Sequence, residues 1–230
     1  MLLALTTSIP ATAQEDGLAL PLIPPSAQAT TASLVQMDEE VRDWRRLAQP
    51  ATEALLGWVA EAGVKPSAGL SLDTGGAVAW RVSEDVRLLR LPVALGQGVL
   101  SQSSLTVMFA NDDTVVGSSE WVFTPHSANS GRVQSWLNGS LVIDQTVSAP
   151  DSDAPRITSM AYKKGDWWGN FNQCLSNAGV AAWVITGISI ACAAVCVVTA
   201  GIGCIACLGA ASAGFSGTVS YCITTANLYS

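Results

Sequence analysis

Apolar positions change their spacing along the chain, and each spacing predicts a different kind of element. Behind Ser33, a residue able to cap a helix, Leu34, Met37, Val41, Trp44 and Ala48 recur every three or four residues. That is one face of an amphipathic helix. Asp38, Glu39 and Glu40 stand early and Arg42, Arg45 and Arg46 late, which suits the helix dipole. Pro50 reads as its end. A second, shorter helix is predicted from Thr52 as cap, through Leu55, Leu56, Val59 and Ala62, to Gly63 as stop.

From about residue 70 the period falls to two. Residues 77–83 and 86–91 are strand candidates, interrupted by Pro92, with Gly96 and Gly98 marking a loop. Residues 104–110 follow, with Leu105, Val107 and Phe109 on one side. Asn111, Asp112 and Asp113 make a turn into residues 114–124, where Trp121 and Phe123 share a face. After a second turn over 125–131, strands at 133–137 and 141–147 flank Asn138-Gly139, a strong hairpin signal because both residues tolerate positive φ. Asn138, Gly139 and Ser140 also form a glycosylation acceptor triplet. These strands predict a small antiparallel sheet, with the two helices before it as cover.

The last regime is neither period. Residues 178–212 are apolar apart from Thr186, Ser189 and Thr199. A helix capped by Ser176 or Asn177 is predicted to run to about residue 200, with a break at Gly201 and Gly203 and a second helix over about 204–218. The run exceeds the roughly 20 residues needed to span a bilayer. Trp167, Trp168 and Trp183 are candidate interface anchors, since indole is amphipathic.

Composition sharpens this division. From residue 167 to the end of the sequence there is no Asp, Glu, Lys, Arg or His, so the whole net charge of -7 lies upstream. An acidic balance argues against nucleic acid as a partner, because phosphate binding needs concentrated Lys and Arg. All six cysteines fall in the charge-free part: Cys174, Cys192, Cys196, Cys204, Cys207 and Cys222. Cys192 and Cys196 share a helix face, as do Cys204 and Cys207. Folding about Gly201 then nests Cys196 with Cys204, Cys192 with Cys207 and Cys174 with Cys222; a crossed Cys192–Cys204 pair is the alternative. Disulfides of roughly 2–4 kcal/mol each would support a hairpin whose Gly and β-branched residues disfavour helix. Zinc binding or redox chemistry at Cys204-x-x-Cys207 is a weaker reading, because the cysteines lie on apolar helices with no His nearby.

The remaining chemistry is sparse. Asp112 with Asp113 and Glu84 with Asp85 sit at strand breaks, where Asp is a turn former. His126, the single histidine, follows Pro125 in a polar turn and offers no Ser-His-Asp arrangement by spacing. No glycine run meets a Lys-Ser/Thr pair as a phosphate loop does. Residues 1–13 read as a partial signal peptide with Ala11-Thr12-Ala13 as a small-x-small cleavage site, and 14–31 as a disordered, Ala/Thr/Pro-rich segment. Residues 149–173 read as a linker, with Pro150, Asp151, Asp153 and Pro155 at its start and Arg156 and Lys163-Lys164 as possible protease sites.

The run Cys174-Leu175-Ser176-Asn177-Ala178-Gly179-Val180, then Cys192, Cys196, Ala200-Gly201-Ile202-Gly203-Cys204-Ile205-Ala206-Cys207 and Gly217-Thr218-Val219-Ser220-Tyr221-Cys222, resembles the C-terminal domain of secreted cysteine-rich bacteriocin precursors, bacterial relatives of the halocin-type peptides. The region 105–147 resembles their pro-regions, so the likeness covers about residues 105–230. It departs in having six cysteines where the halocin-type peptide has more. The resemblance implies a leader, a processed precursor and a released toxin peptide, with an N-terminal part able to act as immunity protein.

The expectation is therefore an α+β chain: N-terminal helices with a small antiparallel sheet over 32–148, then a disulfide-stapled helical hairpin over 174–230. Its expected role is a secreted precursor of an antimicrobial peptide that acts on target-cell membranes, without catalysis, cofactor or metal. Its partners would be a target membrane, a receptor, a processing protease and its own N-terminal domain as inhibitor. The alternative is a secreted or membrane-anchored structural or interaction protein without toxin activity.

Overall fold

The computed structural model describes residues 43–149, 162–198 and 218–229. In chain order the elements are β1 (Arg45–Arg46), α1 (Gln49–Glu61), β2 (Val78–Arg81), β3 (Val86–Pro92), β4 (Ser104–Ala110), β5 (Val115–Pro125), β6 (Ser130–Leu137), β7 (Ser140–Ser148), α2 (Trp167–Asn177), α3 (Ala182–Val198) and α4 (Thr218–Leu228). The strands form one open antiparallel sheet in the order β1 to β7, each hydrogen-bonded to the next in sequence. The α+β class is as expected; a seven-stranded sheet is larger than the small one predicted.

The strand pattern translates into faces directly. Leu89, Leu91, Leu105, Val107 and Phe109 point to one side and pack with Leu55 and Val59 of α1. Trp121, Phe123, Val133, Ile143 and Val147 point to the other. At the β6–β7 hairpin Asn138 and Gly139 hold φ of 49° and 83°, the positive values that an Asn-Gly hairpin turn requires. Asn138 Oδ1 also accepts the N–H of Ser118 at 2.8 Å, tying the turn to β5.

The N-terminal helix prediction needs correction where it can be compared. Residues 33–42 lie outside the described residues, but Arg45 and Arg46 are a strand, paired with Arg81 and Trp80 of β2. Leu47 continues this by donating its N–H to Ala79 O at 2.9 Å. A sheet edge offers these residues backbone partners, and that overrides their helical spacing. Pro50, read as a helix end, instead lies in the first turn of α1, where its missing N–H costs nothing. The N-cap is Ala48 rather than Thr52, which is buried inside the helix with its hydroxyl donating to Ala48 O. Gly63 follows the helix with φ 67°, as its predicted role as stop requires. Pro92 closes β3 rather than interrupting it: it pairs with Ser104, beyond the last β2–β3 pair at Val78 and Arg90.

The C-terminal elements are also redistributed. Residues 150–161 lie outside the described residues, so most of the predicted linker is not compared. Its far end is structured, because α2 begins at Trp167. Asp166 caps that helix, accepting the N–H of Gly169 at 2.9 Å. Ser176 and Asn177 end α2 instead of opening the long helix; the chain turns at Gly179 and α3 starts at Ala182. Thr218 opens α4 where it was predicted to end a helix, and residues 204–217 lie outside the described residues. The described residues thus show three C-terminal helices where two were predicted. They share one core with β5, β6 and β7, so the sheet's second face is covered from the C-terminal side rather than by an N-terminal helix.

Candidate functional site

The region that distinguishes this chain is the charge-free C-terminal segment, and its geometry is set by how α3 sits on the sheet. From Trp183 to Ile190 every residue of α3 is buried by at least nine-tenths of its surface. A helix apolar on all sides is stable in water only when something surrounds it. Here the sheet takes one side, while Phe171 and Leu175 of α2 and Ile223 and Ala226 of α4 belong to the same core cluster.

Contact with the sheet is made by two reciprocal insertions. Trp183 lies over Gly131 of β6: a Cβ there would run into the indole ring and would stand 2.7 Å from Thr124 O. One turn on, Gly187 receives Val133, whose Cγ2 would be 2.6 Å from a Cβ at 187. Gly131 was read from sequence as a turn residue; its use is to let a helix approach the strand. The indole also meets Phe123 at 6.3 Å between ring centroids, and Phe123 stacks with Trp121 at 6.1 Å. An aromatic row therefore runs from the middle of β5 into α3.

This seam carries polar atoms that find no hydrogen-bond partner. They are Trp183 Nε1 and Ser189 Oγ on α3, and Ser135 Oγ on β6, all buried. Each such atom costs about 1–3 kcal/mol against a paired one. Thr186, by contrast, returns its hydroxyl to Ala182 O.

The module closes on itself independently of the sheet. Cys174 of α2 is bonded to Cys222 of α4, as the nested spacing predicted, with Cα atoms 5.4 Å apart. Tyr162 stacks on Tyr229 at 4.7 Å, and Gly165 donates its N–H to Tyr229 O at 2.9 Å. The two ends of the module thus meet. Cys192 is disulfide-bonded as well, and no described cysteine is free. The predicted partners Cys204 and Cys207 lie outside the described residues, as does the side chain of Cys196.

The other predicted residues fall as follows. Trp183 stands at no surface in this folded form; it is fully buried against β6. Trp167 and Trp168 open α2, and their side chains lie outside what is described. Lys163 is exposed, and the side-chain amide of Asn170 grips its backbone, accepting its N–H at 2.7 Å and donating to its O at 2.8 Å. Arg156 lies outside the described residues. His126 is exposed in its turn, its backbone N–H donating to Ser130 O. Asp112 caps its own turn through Thr114, which with its hydroxyl holds the carboxyl below the usual range, and Asp113 pairs with Arg87 at 2.7 Å.

Among the described residues no group of three or more His, Cys, Asp or Glu is placed to hold a metal ion. No single described helix is long and apolar enough to cross a membrane; α2 and the first part of α3 meet at a bend of 115°. Neither protein-family models, nor curated proteins, nor solved structures yield a match to the chain.

Proposed function

We propose that this chain is the precursor of a secreted, bacteriocin-like antimicrobial peptide, in which the sheet domain holds the C-terminal module in a sheltered state until proteolysis frees it. The observation that carries the reading is the docking of α3, an uncharged helix apolar on all sides, onto the β5–β7 face through Trp183 at Gly131. Remove the sheet, and the strip around Trp183 and Gly187 is bare. Burial of that strip elsewhere, in the membrane of a target cell, is favoured at about 25 cal/mol per Å² of apolar surface. The module's disulfide and its Tyr162–Tyr229 closure would survive the loss of the sheet, since neither involves it. The unpaired polar atoms at the seam each weaken docking by about 1–3 kcal/mol.

Cleavage is proposed within residues 149–161, because a cut there keeps Tyr162 with the module, whereas one at Lys163-Lys164 removes it. Export to an oxidising compartment accords with bonded cysteines. The released fragment would carry Lys163 and Lys164 at its start but no cationic residue from Trp167 onward, so attraction to anionic lipid is weak, and a receptor on the target cell is part of the proposal. The remaining sheet domain would act as inhibitor or immunity element. No catalytic step is invoked.

The shared core favours a second reading: a secreted or membrane-anchored structural or interaction protein whose C-terminal helices are permanent. One experiment separates the two. The purified, oxidised full chain is nicked by limited proteolysis, the fragments are resolved, and each is added to dye-loaded vesicles and to growing bacteria. The precursor reading expects an inactive full chain and a C-terminal fragment that leaks vesicles or inhibits growth. A nicked chain whose halves never separate, or a separated fragment inert in both assays, overturns it.

A further inference from the structure

Arg90 of β3 is a buried cation without a counter-charge among the described residues. It is 6% exposed, and no ion pair joins it to a described carboxylate. Two arginines nearer the solvent contrast with it: half-buried Arg87, on the same strand, has Asp113 at 2.7 Å, and exposed Arg132 is paired with Asp144. The guanidinium of Arg90 reaches toward the β3–β4 loop, where Nη2 makes long contacts of 3.3 and 3.4 Å to Ser101 O and Gln102 O. Its Nε has no partner.

Two further donors on the same face are in the same condition. Thr106 stands directly across from Arg90 in the β3–β4 register, and Ser104 stands across from Pro92, one position along that face toward the loop. Both are buried, at 1% and 0% exposure, and both hydroxyls are unpartnered. Ser119, next across from Thr106, is already used, accepting from Trp121 Nε1 at 2.9 Å. Burying a full charge unpaired is heavily disfavoured, and buried polar groups are normally paired. Burial alone draws the guanidinium down to about 10, so it stays protonated at neutral pH.

The geometry points to a site for a small oxyanion, a carboxylate or an inorganic phosphate or sulfate, held by Arg90 Nε and the hydroxyls of Thr106 and Ser104. An oxyanion supplies what all of these lack: a negative charge for a planar guanidinium and acceptor oxygens for two hydroxyls. No acidic side chain is part of the cluster, so nothing within it repels the anion. This site lies on the same sheet face as the α3 seam, with Ser104 paired across to Trp121, but it does not depend on the precursor reading.

The test is thermal unfolding of the full-length oxidised protein in sodium phosphate, sulfate or acetate, against sodium chloride at equal ionic strength. A ligand of the native state raises Tm by mass action. Expected is a saturating rise with at least one oxyanion over chloride; whether acetate or phosphate acts more strongly identifies the class. Arg90→Met should abolish the response. The double variant S104A/T106V keeps the charge and should weaken the apparent affinity roughly tenfold. Wild-type protein indifferent to all three oxyanions, or a response equal to the wild type's in Arg90→Met, overturns the site. Should Arg90→Met fail to fold, an unweakened response in the S104A/T106V protein overturns it equally.

Discussion

The indole of Trp183 occupies the space above Gly131 that any side chain at residue 131 would need. This one relationship fixes how the uncharged C-terminal helix meets the sheet, and it is rigid on both sides. Behind Gly131 stands the carbonyl of Thr124, 2.7 Å from where a Cβ would sit, so the strand cannot yield either. Gly131→Ala is expected to cost at least about 2 kcal/mol, in the range of overpacked core positions. Urea denaturation of the two proteins reads it as a lower midpoint. An unchanged midpoint would mean that α3 does not dock there.

Much of the sheet was legible because its signals are local. Asn138-Gly139 prescribes its own turn, and the alternation Leu105, Val107, Phe109 names its own face. The Cys174–Cys222 pair followed from nesting, which needs only the chain's order. Arg45-Arg46 was misread because its conformation is decided by β2, thirty-odd positions away, and a polar edge strand has no periodic signature. The site was hidden for a related reason. A helix apolar on every side has no moment to say which face meets the sheet, and Gly131 looks like a turn glycine until Trp183 is placed on it. A glycine inside a strand pattern was the available signal.

Trp183 itself separates packing from polarity. Trp183→Ala leaves a cavity in the center of the shared core and should cost about 3–5 kcal/mol. Trp183→Phe keeps part of the ring and removes the unpartnered Nε1. It should therefore lose markedly less than the alanine variant, by the same urea measurement. Equal losses would show that Nε1 is paired after all and matters as much as the ring.

The Cys174–Cys222 bond spans 48 residues. In the chain-entropy account closure of such a loop stabilises by about 4 kcal/mol. The double variant C174S/C222S should lose a stability of that order in non-reducing conditions. The loss should fall on the C-terminal helices, so amide exchange should quicken in α2 and α4 before it does in β3 and β4. Uniform quickening across the sheet would show that module and sheet unfold as one unit.

Glu120 supplies a pH dependence of defined sign. Its carboxylate is 2% exposed and accepts the backbone N–H groups of Ser67 and Ala68, pinning that loop to β5. Burial raises its pKa, and the two backbone donors offset this only in part. The folded chain therefore holds this proton more tightly than the unfolded chain, whose Glu titrates near 4.3. Between those two pKa values the native state binds more protons, so stability falls as pH rises through the window and stays lower above it. Glu120→Gln cannot ionise and still offers an acceptor oxygen to both N–H groups. Relative to it, the wild type should lose stability as pH rises from about 4 to 7, and every other carboxylate cancels in the difference. Urea midpoints of both proteins across that range decide the matter. A wild type that gains on the variant as pH rises would mean that the hydrogen bonds from Ser67 and Ala68 outweigh burial, and that the ionised carboxylate is the form the fold prefers.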